Sequence, residues 1–309
     1  MNGVSRRRFL AISAAVLTAG PTAGPVRAAE RYRWEGVALG AKASITLSHP
    51  DARRIAARAQ AELDRLEGIF SLYRPDSALA RLNRDGRLEN PPFELLECLS
   101  LCGFAHDVTG GAFDPTIQPL WALYAEKAAA KELPSDDELR DALDLVGWRH
   151  VRISPRAVSF ARPGMALTLN GIAQGFIADK VAELLRKEGL GDVLIDTGEI
   201  VAMGGDPLGG PWNVSLVGDR GRLPDALALR DTALASSSPL GTTIGPGGPG
   251  HILDPRSGSP ALPRWSLVSM TAPSAAYADA LSTAGCLMDR EAFARSVGRT
   301  PGAAIAHLA

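Results

Sequence analysis

The stretch Leu167-Thr-Leu-Asn-Gly-Ile-Ala-Gln-Gly-Phe-Ile-Ala-Asp179 constrains this chain most. Leu167 to Leu169 are short and apolar and read as the end of a β-strand, which Asn170-Gly171 break. From Ile172 the period turns helical: Ile172, Phe176, Ile177, Val181, Leu184 and Leu185 recur at spacings of three and four. Gly189 closes the helix as a C′ glycine, and Lys187 suits its last turn. The unit is therefore strand, tight turn, helix. Gly171, Ala173 and Gly175 keep the first helical turns free of bulk. That permits two uses. Another molecule can approach the free N–H groups, an anion such as a phosphate being favoured, or the helix can pack close to its own sheet. The spacing is neither a dinucleotide fingerprint nor a Walker loop, so the stretch by itself supports both.

A chain of 309 residues can bury a sizeable core, as one large domain or two smaller ones. Its net charge of −1 provides no basic field for nucleic acid or anionic lipid. The three cysteines, Cys98, Cys102 and Cys286, form neither a complete disulfide framework nor a zinc spacing. Cys98 and Cys102 are one helical turn apart, where a bridge is strained and two buried thiols are expected.

Residues 1–29 read as an address. Ser5-Arg-Arg-Arg-Phe-Leu10 precedes an apolar run from Ala11 to Ala19, and small residues at Ala28 and Ala29 suit signal peptidase. The arginines before Phe9-Leu10 resemble a twin-arginine export signal. The apolar run is too short for a permanent membrane span. A periplasmic mature protein, residues 30–309, is the expectation.

Along that chain, Tyr32 to Ser48 read as two strands hinged at Gly40, and Asp51 to Ile69 as an amphipathic helix with Ile55, Ala59, Leu63 and Leu66 on one face. Asp76 or Ser77 caps a short helix, and Pro91-Pro92 start one that runs to Val108. Gly110 to Thr116 is a loop, Pro134 to Glu138 cap a helix, and Val151 to Phe160 is a hairpin. Asp192 to Met203 reads as one buried strand interrupted at Thr197-Gly198. Further strands are expected at Trp212 to Gly218, Ala226 to Leu229 and Ser266 to Met270. Ser236 to Ser238 and Gly241 to Gly250 read as a loose Gly- and Pro-rich loop that delivers a short strand at His251. Ser274 caps a last helix running to about Met288.

That helix is the most informative on chemical grounds. Between Ala272 and Met288 its only charged side chain is Asp279, so the helix is largely buried. A buried carboxylate must be paired, protonated or bound to a metal. Thr283 lies one turn further along the same face. A carboxylate and a hydroxyl together offer the hard oxygens that Mg²⁺ takes, although pairing with an arginine or capping of a backbone amide would serve Asp279 equally. Asp114, held before Pro115, is either a site residue or an Asx turn. His251, one of five histidines, is a candidate general base or a structural histidine.

Four stretches, in order, resemble the signatures of the ApbE family of FAD:protein FMN transferases: Gly110-Gly-Ala-Phe-Asp-Pro115, Gly171-Ile-Ala-Gln-Gly175 with Asp179, His251-Ile-Leu-Asp-Pro-Arg-Ser-Gly258, and Ala278-Asp-Ala-Leu-Ser-Thr283. Phe70-Ser-Leu-Tyr73, Asp76-Ser77 and Asn83 resemble its N-terminal signature. The resemblance runs from about Tyr32 to the C-terminus. It implies an α+β fold with mixed, largely antiparallel sheets flanked by helices, in two intimately associated lobes with FAD between them.

It also implies a reaction. FAD binds with Mg²⁺, a threonine or serine hydroxyl of an acceptor flavoprotein attacks the FMN-side phosphorus, and AMP leaves. By the same analogy Ala173, Asp279 and Thr283 hold the metal, and Ala112, Phe113, Asp114, Gly171, Asp179 and Leu39 line the cofactor. His251 deprotonates or orients the incoming hydroxyl. Leu39-Gly40-Ala41 stands where the family usually has Met-Gly-Thr, and Gln174 where it has Lys. Ala235-Ser-Ser-Ser238 replaces a Thr-Ser-Gly segment with a following arginine. Asn170 to Gly175, Asp196-Thr-Gly-Glu199 and the leader resemble the periplasmic branch that serves nitrous-oxide-reductase maturation, whose acceptor is a membrane-associated electron-transfer protein. A non-catalytic FAD-binding assembly factor and an FAD pyrophosphate hydrolase are the competing readings.

Overall fold

The computed structural model describes residues 31–218 and 221–309, together with a two-residue strand, β1 (Ala15–Val16). Apart from β1, the leader assigned to residues 1–29, with its arginine run and cleavage site, lies outside the described residues.

The chain begins with the hairpin β2 (Tyr32–Ala38) and β3 (Ala41–Leu47). Leu39 and Gly40 turn it, with φ of 48° and 82°, the positive pair that a tight hairpin turn requires. Helix α1 (Ala52–Phe70) buries the expected face of Ile55, Ala59, Leu63 and Leu66. Ser77 caps α2 (Ala78–Asp85) by accepting from the Ala80 N–H, and β4 (Arg87–Glu89) follows. Helix α3 (Phe93–Val108) buries Cys98 and Cys102 as free thiols.

Helix α4 (Gln118–Ala130) has no counterpart in the sequence reading. Leu120, Trp121, Leu123 and Tyr124 spread apolar surface around it, so no single stripe marks it as a helix. Helix α5 (Asp136–Leu143) starts with the full capping box of Ser135 and Glu138. The hairpin β5 (Val151–Ile153) and β6 (Ala157–Phe160) is as expected.

Leu167 to Leu169 do not form a strand. The Leu167 N–H and C=O both bond to the side-chain amide of Asn83, at 2.8 Å each. The Thr168 N–H donates to the Pro115 carbonyl. The segment is extended and apolar, as a strand would be, but a side chain and a loop satisfy its backbone in place of a ladder. Helix α6 (Ala173–Lys187) then begins where the period changed, and Gly189 takes its C′ position with φ of 84°.

Asp192 to Met203 is not one interrupted strand but a hairpin, β7 (Val193–Asp196) and β8 (Ile200–Met203). Gly198 at φ 101° reverses the chain, and its N–H donates to Asp196 Oδ1. Next come β9 (Trp212–Gly218), β10 (Gly221–Leu229) and β11 (Thr232–Ser237). Ser236 and Ser237 therefore end a strand and do not open the loop. His251 lies outside any strand, and only an isolated bridge, Leu253 to Pro260, follows it. The chain closes with β12 (Val268–Ala272), α7 (Ala275–Gly285), α8 (Arg290–Gly298) and β13 (Ala304–Leu308). Ser274 caps α7 as expected; α8, capped by Asp289, and β13 were not foreseen.

The architecture is α+β. A seven-stranded sheet runs β13-β12-β11-β8-β7-β3-β2, flanked by three-stranded sheets β1-β9-β10 and β4-β6-β5. Every ladder among the described residues is antiparallel, in keeping with the largely antiparallel sheets flanked by helices that the resemblance implies. Alternation along the strands divides the interior. Val193, Ile195, Val201, Met203, Ala233 and Ala235 face the helices α1, α6 and α7. Leu194, Ile200 and Leu234 face the other way, against Trp212, Val214 and Leu216 of the β9–β10 hairpin. A smaller cluster of Leu120, Tyr124, Ala142, Val146, Ile244 and Leu253 joins α4 and α5 to the Gly-rich loop. The sheet and its helical layer fix α6 against α7, and the smaller cluster carries the loop ahead of His251.

Candidate active site

Two glycines bring α6 and α7 together, running antiparallel. A Cβ on Gly175 would strike the Ala275 carbonyl, and one on Gly171 would lie 3.0 Å from Thr283 Oγ1. The small residues at the helix start thus let α7 in, and Gly171 meets Thr283 directly.

Each helix then presents a carboxylate to the first turn of the other. Asp179 on α6 accepts from Ser274 Oγ at 2.7 Å, the Ala275 N–H at 2.9 Å and the Ala276 N–H at 3.1 Å. Burial raises its carboxyl above the usual range, and those bonds oppose the rise. The aspartate that the resemblance placed beside FAD is here the anchor of the start of α7. Asp279 on α7 is 3% exposed and accepts only one long bond, 3.4 Å from the Gly175 N–H. Burial pushes its carboxyl up to about 8, which that single bond barely offsets. Thr283, one turn on, lies 3.4 Å from Ser237 Oγ, which itself bonds Ser282 Oγ at 2.7 Å.

Asp279 and Thr283 therefore present a carboxylate short of partners and a hydroxyl on one face of α7, beside the start of α6 where Ala173 sits. Hard oxygens of this kind fit Mg²⁺. Among the described residues no cluster of three His, Cys, Asp or Glu forms a metal cage. A cation here would also draw on hydroxyl, carbonyl and substrate oxygens.

Gln174 does not reach outward. Its Nε2 donates to the Thr197 carbonyl, and Thr197 Oγ1 donates back to the Gln174 carbonyl, both at 3.1 Å. The turn between β7 and β8 is thereby tied to the start of α6.

His251 Nδ1 lies 3.0 Å from the Thr242 carbonyl. That acceptor fixes the proton on Nδ1 and leaves Nε2 its lone pair. Burial lowers its pKa below the usual histidine value, against the Thr242 contact. No hydrogen bond among the described residues links His251 to Asp279 or Thr283.

Ala112, Phe113 and Asp114 sit in a loop braced on α3. Thr109 Oγ1 accepts from the Phe113 N–H, and His106 Nδ1 lies 3.0 Å from the Phe113 carbonyl. Both Asp114 oxygens are engaged, one by Thr116 and the other by the Trp148 N–H. Its carboxylate holds the loop together, as an Asx turn does. The loop abuts the segment that leads into Gly171, through Pro115 and Thr168. Beside it opens a cleft of about 480 Å³, lined by Tyr73, Asn83, Arg84, Trp121 and Asn170 among others. Leu39, in the β2–β3 turn, packs on the edge of the main core. Sequence reasoning missed Trp121, hidden in an unrecognised helix, and noted Glu199 only within the Asp196-Thr-Gly-Glu199 resemblance, without a role of its own.

The chain is similar to known proteins. A profile of the ApbE family matches residues 39–306. A FAD:protein FMN transferase of Treponema pallidum is 31% identical over 269 residues, 78% of this chain and 73% of that protein. The Vibrio cholerae enzyme of the same name is 28% identical, covering 87% and 85%. In structure, the ApbE protein of Thermotoga maritima superposes with a TM-score of 0.78 at 27% identity, covering 89% and 93%. The flavin transferase ApbE of Vibrio cholerae gives 0.77 at 24%, covering 87% and 91%. With nearly the whole described chain matched and two glycines joining the helices that carry its signatures, this protein belongs to the ApbE family.

Proposed function

We propose that this protein is an FAD:protein FMN transferase that moves FMN from FAD to a threonine or serine of an acceptor flavoprotein. The observation that carries the reading is Asp279: a buried carboxylate nearly without partners, with the Thr283 hydroxyl on the same face, at the start of α6. Ala173, Asp279 and Thr283 are the residues that would hold Mg²⁺, which would neutralise charge on the transferring phosphoryl group. The cleft at Tyr73, Trp121 and Asn170 opens beside that helix start and is where the flavin nucleotide is placed.

His251 supports the attack. Its neutral ring, held by Thr242, has Nε2 available for the proton of the acceptor hydroxyl. The hydroxyl oxygen forms its bond to the FMN-side phosphorus. The bond from that phosphorus to the bridging oxygen breaks, and AMP departs with the bridging oxygen. Ala112 and Phe113, on their braced loop, and Gly171 line the approach. The leader supports a periplasmic protein, and the branch it resembles supports a membrane-associated electron-transfer protein as acceptor. Among the described residues no helix is long and apolar enough to cross a membrane.

The test is to incubate the protein with FAD, Mg²⁺ and an acceptor domain, then look for flavin fluorescence on the acceptor in a denaturing gel and quantify AMP. Covalent flavin with equimolar AMP is expected. Free FMN without acceptor labelling would replace transfer by hydrolysis, and bound FAD with neither product would leave an assembly factor.

A further inference from the structure

Glu199 has no part in the account above, yet it is 7% exposed and stands where the β7–β8 turn enters β8. The Ser236 backbone lies close to its carboxylate and opposes the rise in its pKa. One carboxylate oxygen, Oε2, is buried with no hydrogen-bond partner. Burial and the nearby Asp279 charge together push its carboxyl well above the ordinary range. Among the described residues the ion pairs of the molecule involve neither Glu199 nor Asp279.

The turn that carries Glu199 is also the one that Gln174 and Thr197 bind to the start of α6. Gly198 has no room for a side chain, because a Cβ there would lie 2.6 Å from Gln174 Nε2. Glu199 is thus held on the same helix start that receives Asp279. Two buried carboxylates without a basic partner, one with an orphaned oxygen, are costly as they stand. A divalent cation among oxygen ligands removes that cost.

We propose that Glu199 is a further oxygen donor of the cation site, directly or through one bound water, so that the cation lies between carboxylates from α7 and from the β7–β8 turn. The inference rests on the cation reading given above. Its consequence is that the protein binds a divalent cation before any pyrophosphate arrives, because the chain alone supplies two carboxyl groups, whose protons the cation displaces.

Mn²⁺ titration of the chelator-treated full-length protein without FAD, followed by the electron paramagnetic resonance of free Mn²⁺, tests this. Glu199→Gln is expected to weaken Mn²⁺ binding roughly tenfold or more, and Asp279→Asn to abolish it. Glu199→Asp, which keeps the charge on a shorter arm, is expected to fall between wild type and Glu199→Gln. The metal-free Tm of Glu199→Gln should stay close to that of wild type, since burial already holds the Glu199 carboxyl in its uncharged form when no cation is bound. Wild-type Mn²⁺ affinity in Glu199→Gln, with binding lost in Asp279→Asn, would overturn the role of Glu199 and leave the cation reading standing. Wild-type affinity in both variants would remove the cation from this helix pair altogether. A lowered metal-free Tm with unchanged Mn²⁺ affinity would make Glu199 purely structural.

Discussion

Asp179 and Asp279 occupy nearly equivalent places at opposite ends of one helix pair, yet they are treated in opposite ways. Each lies on one helix and faces the first turn of the other. Asp179 receives three short bonds and completes the start of α7, where a negative charge also meets the favourable end of the helix dipole. Asp279 receives one bond of 3.4 Å, although it is the more deeply enclosed of the two. The difference separates anchoring from chemistry. A carboxylate with all its acceptor capacity used stabilises the fold, whereas one left short of partners needs something the chain does not supply.

The largest expected effect bears on the starved member. Asp279→Ala should lower FMN transfer about 10³-fold, measured by acceptor fluorescence, with Tm unchanged or higher. Transfer at the wild-type rate would break the comparison. His251→Ala should lower the rate about 10²-fold. In the wild type the rate should fall on acidification through a pKa below 6.5, because burial lowers the His251 pKa and only the neutral ring accepts a proton. A pH profile with that acidic limb, absent in His251→Ala, is the check.

Gly175→Ala sharpens the comparison at the point where the helices touch. Its Cβ would run into the Ala275 carbonyl, and thermal unfolding should show a loss of about 1–3 kcal/mol. Asp179→Ala should cost about 1–2 kcal/mol by removing its bonds to Ser274 and the first N–H groups of α7, while transfer at temperatures well below Tm stays within about tenfold of wild type. A variant at position 179 that unfolds normally but no longer transfers would return Asp179 to the cofactor. Gln174→Ala, which loses only the side-chain bond to Thr197, should cost about 1 kcal/mol or less.

Features carried by neighbouring residues were legible. The apolar spacing of α1 and α6, the Ser77, Ser135 and Ser274 caps and the Gly189 stop each depend on contacts within a few residues. The lone Asp279 in an otherwise uncharged run disclosed its own burial for the same reason. Leu167 to Leu169 misled because an extended apolar segment looks alike whether a strand or the Asn83 amide satisfies it. Helix α4 was missed because it is apolar around much of its circumference and is shared between α5 and the loop around Ile244.

The sequence alone thus determined most of the helices, most of the hairpins, the order of the family's signatures and the presence of one buried carboxylate near the C-terminal end. Tertiary structure decided which carboxylate is saturated. Asp179 and Asp279 look equally available along the chain. Their fates depend on how far α7 slides along α6, and that register is set by Gly171 and Gly175 yielding their Cβ space to Thr283 and Ala275. Close packing over about a hundred residues of separation, not local pattern, assigns the N–H groups of one helix start to Asp179 and leaves Asp279 and Glu199 wanting.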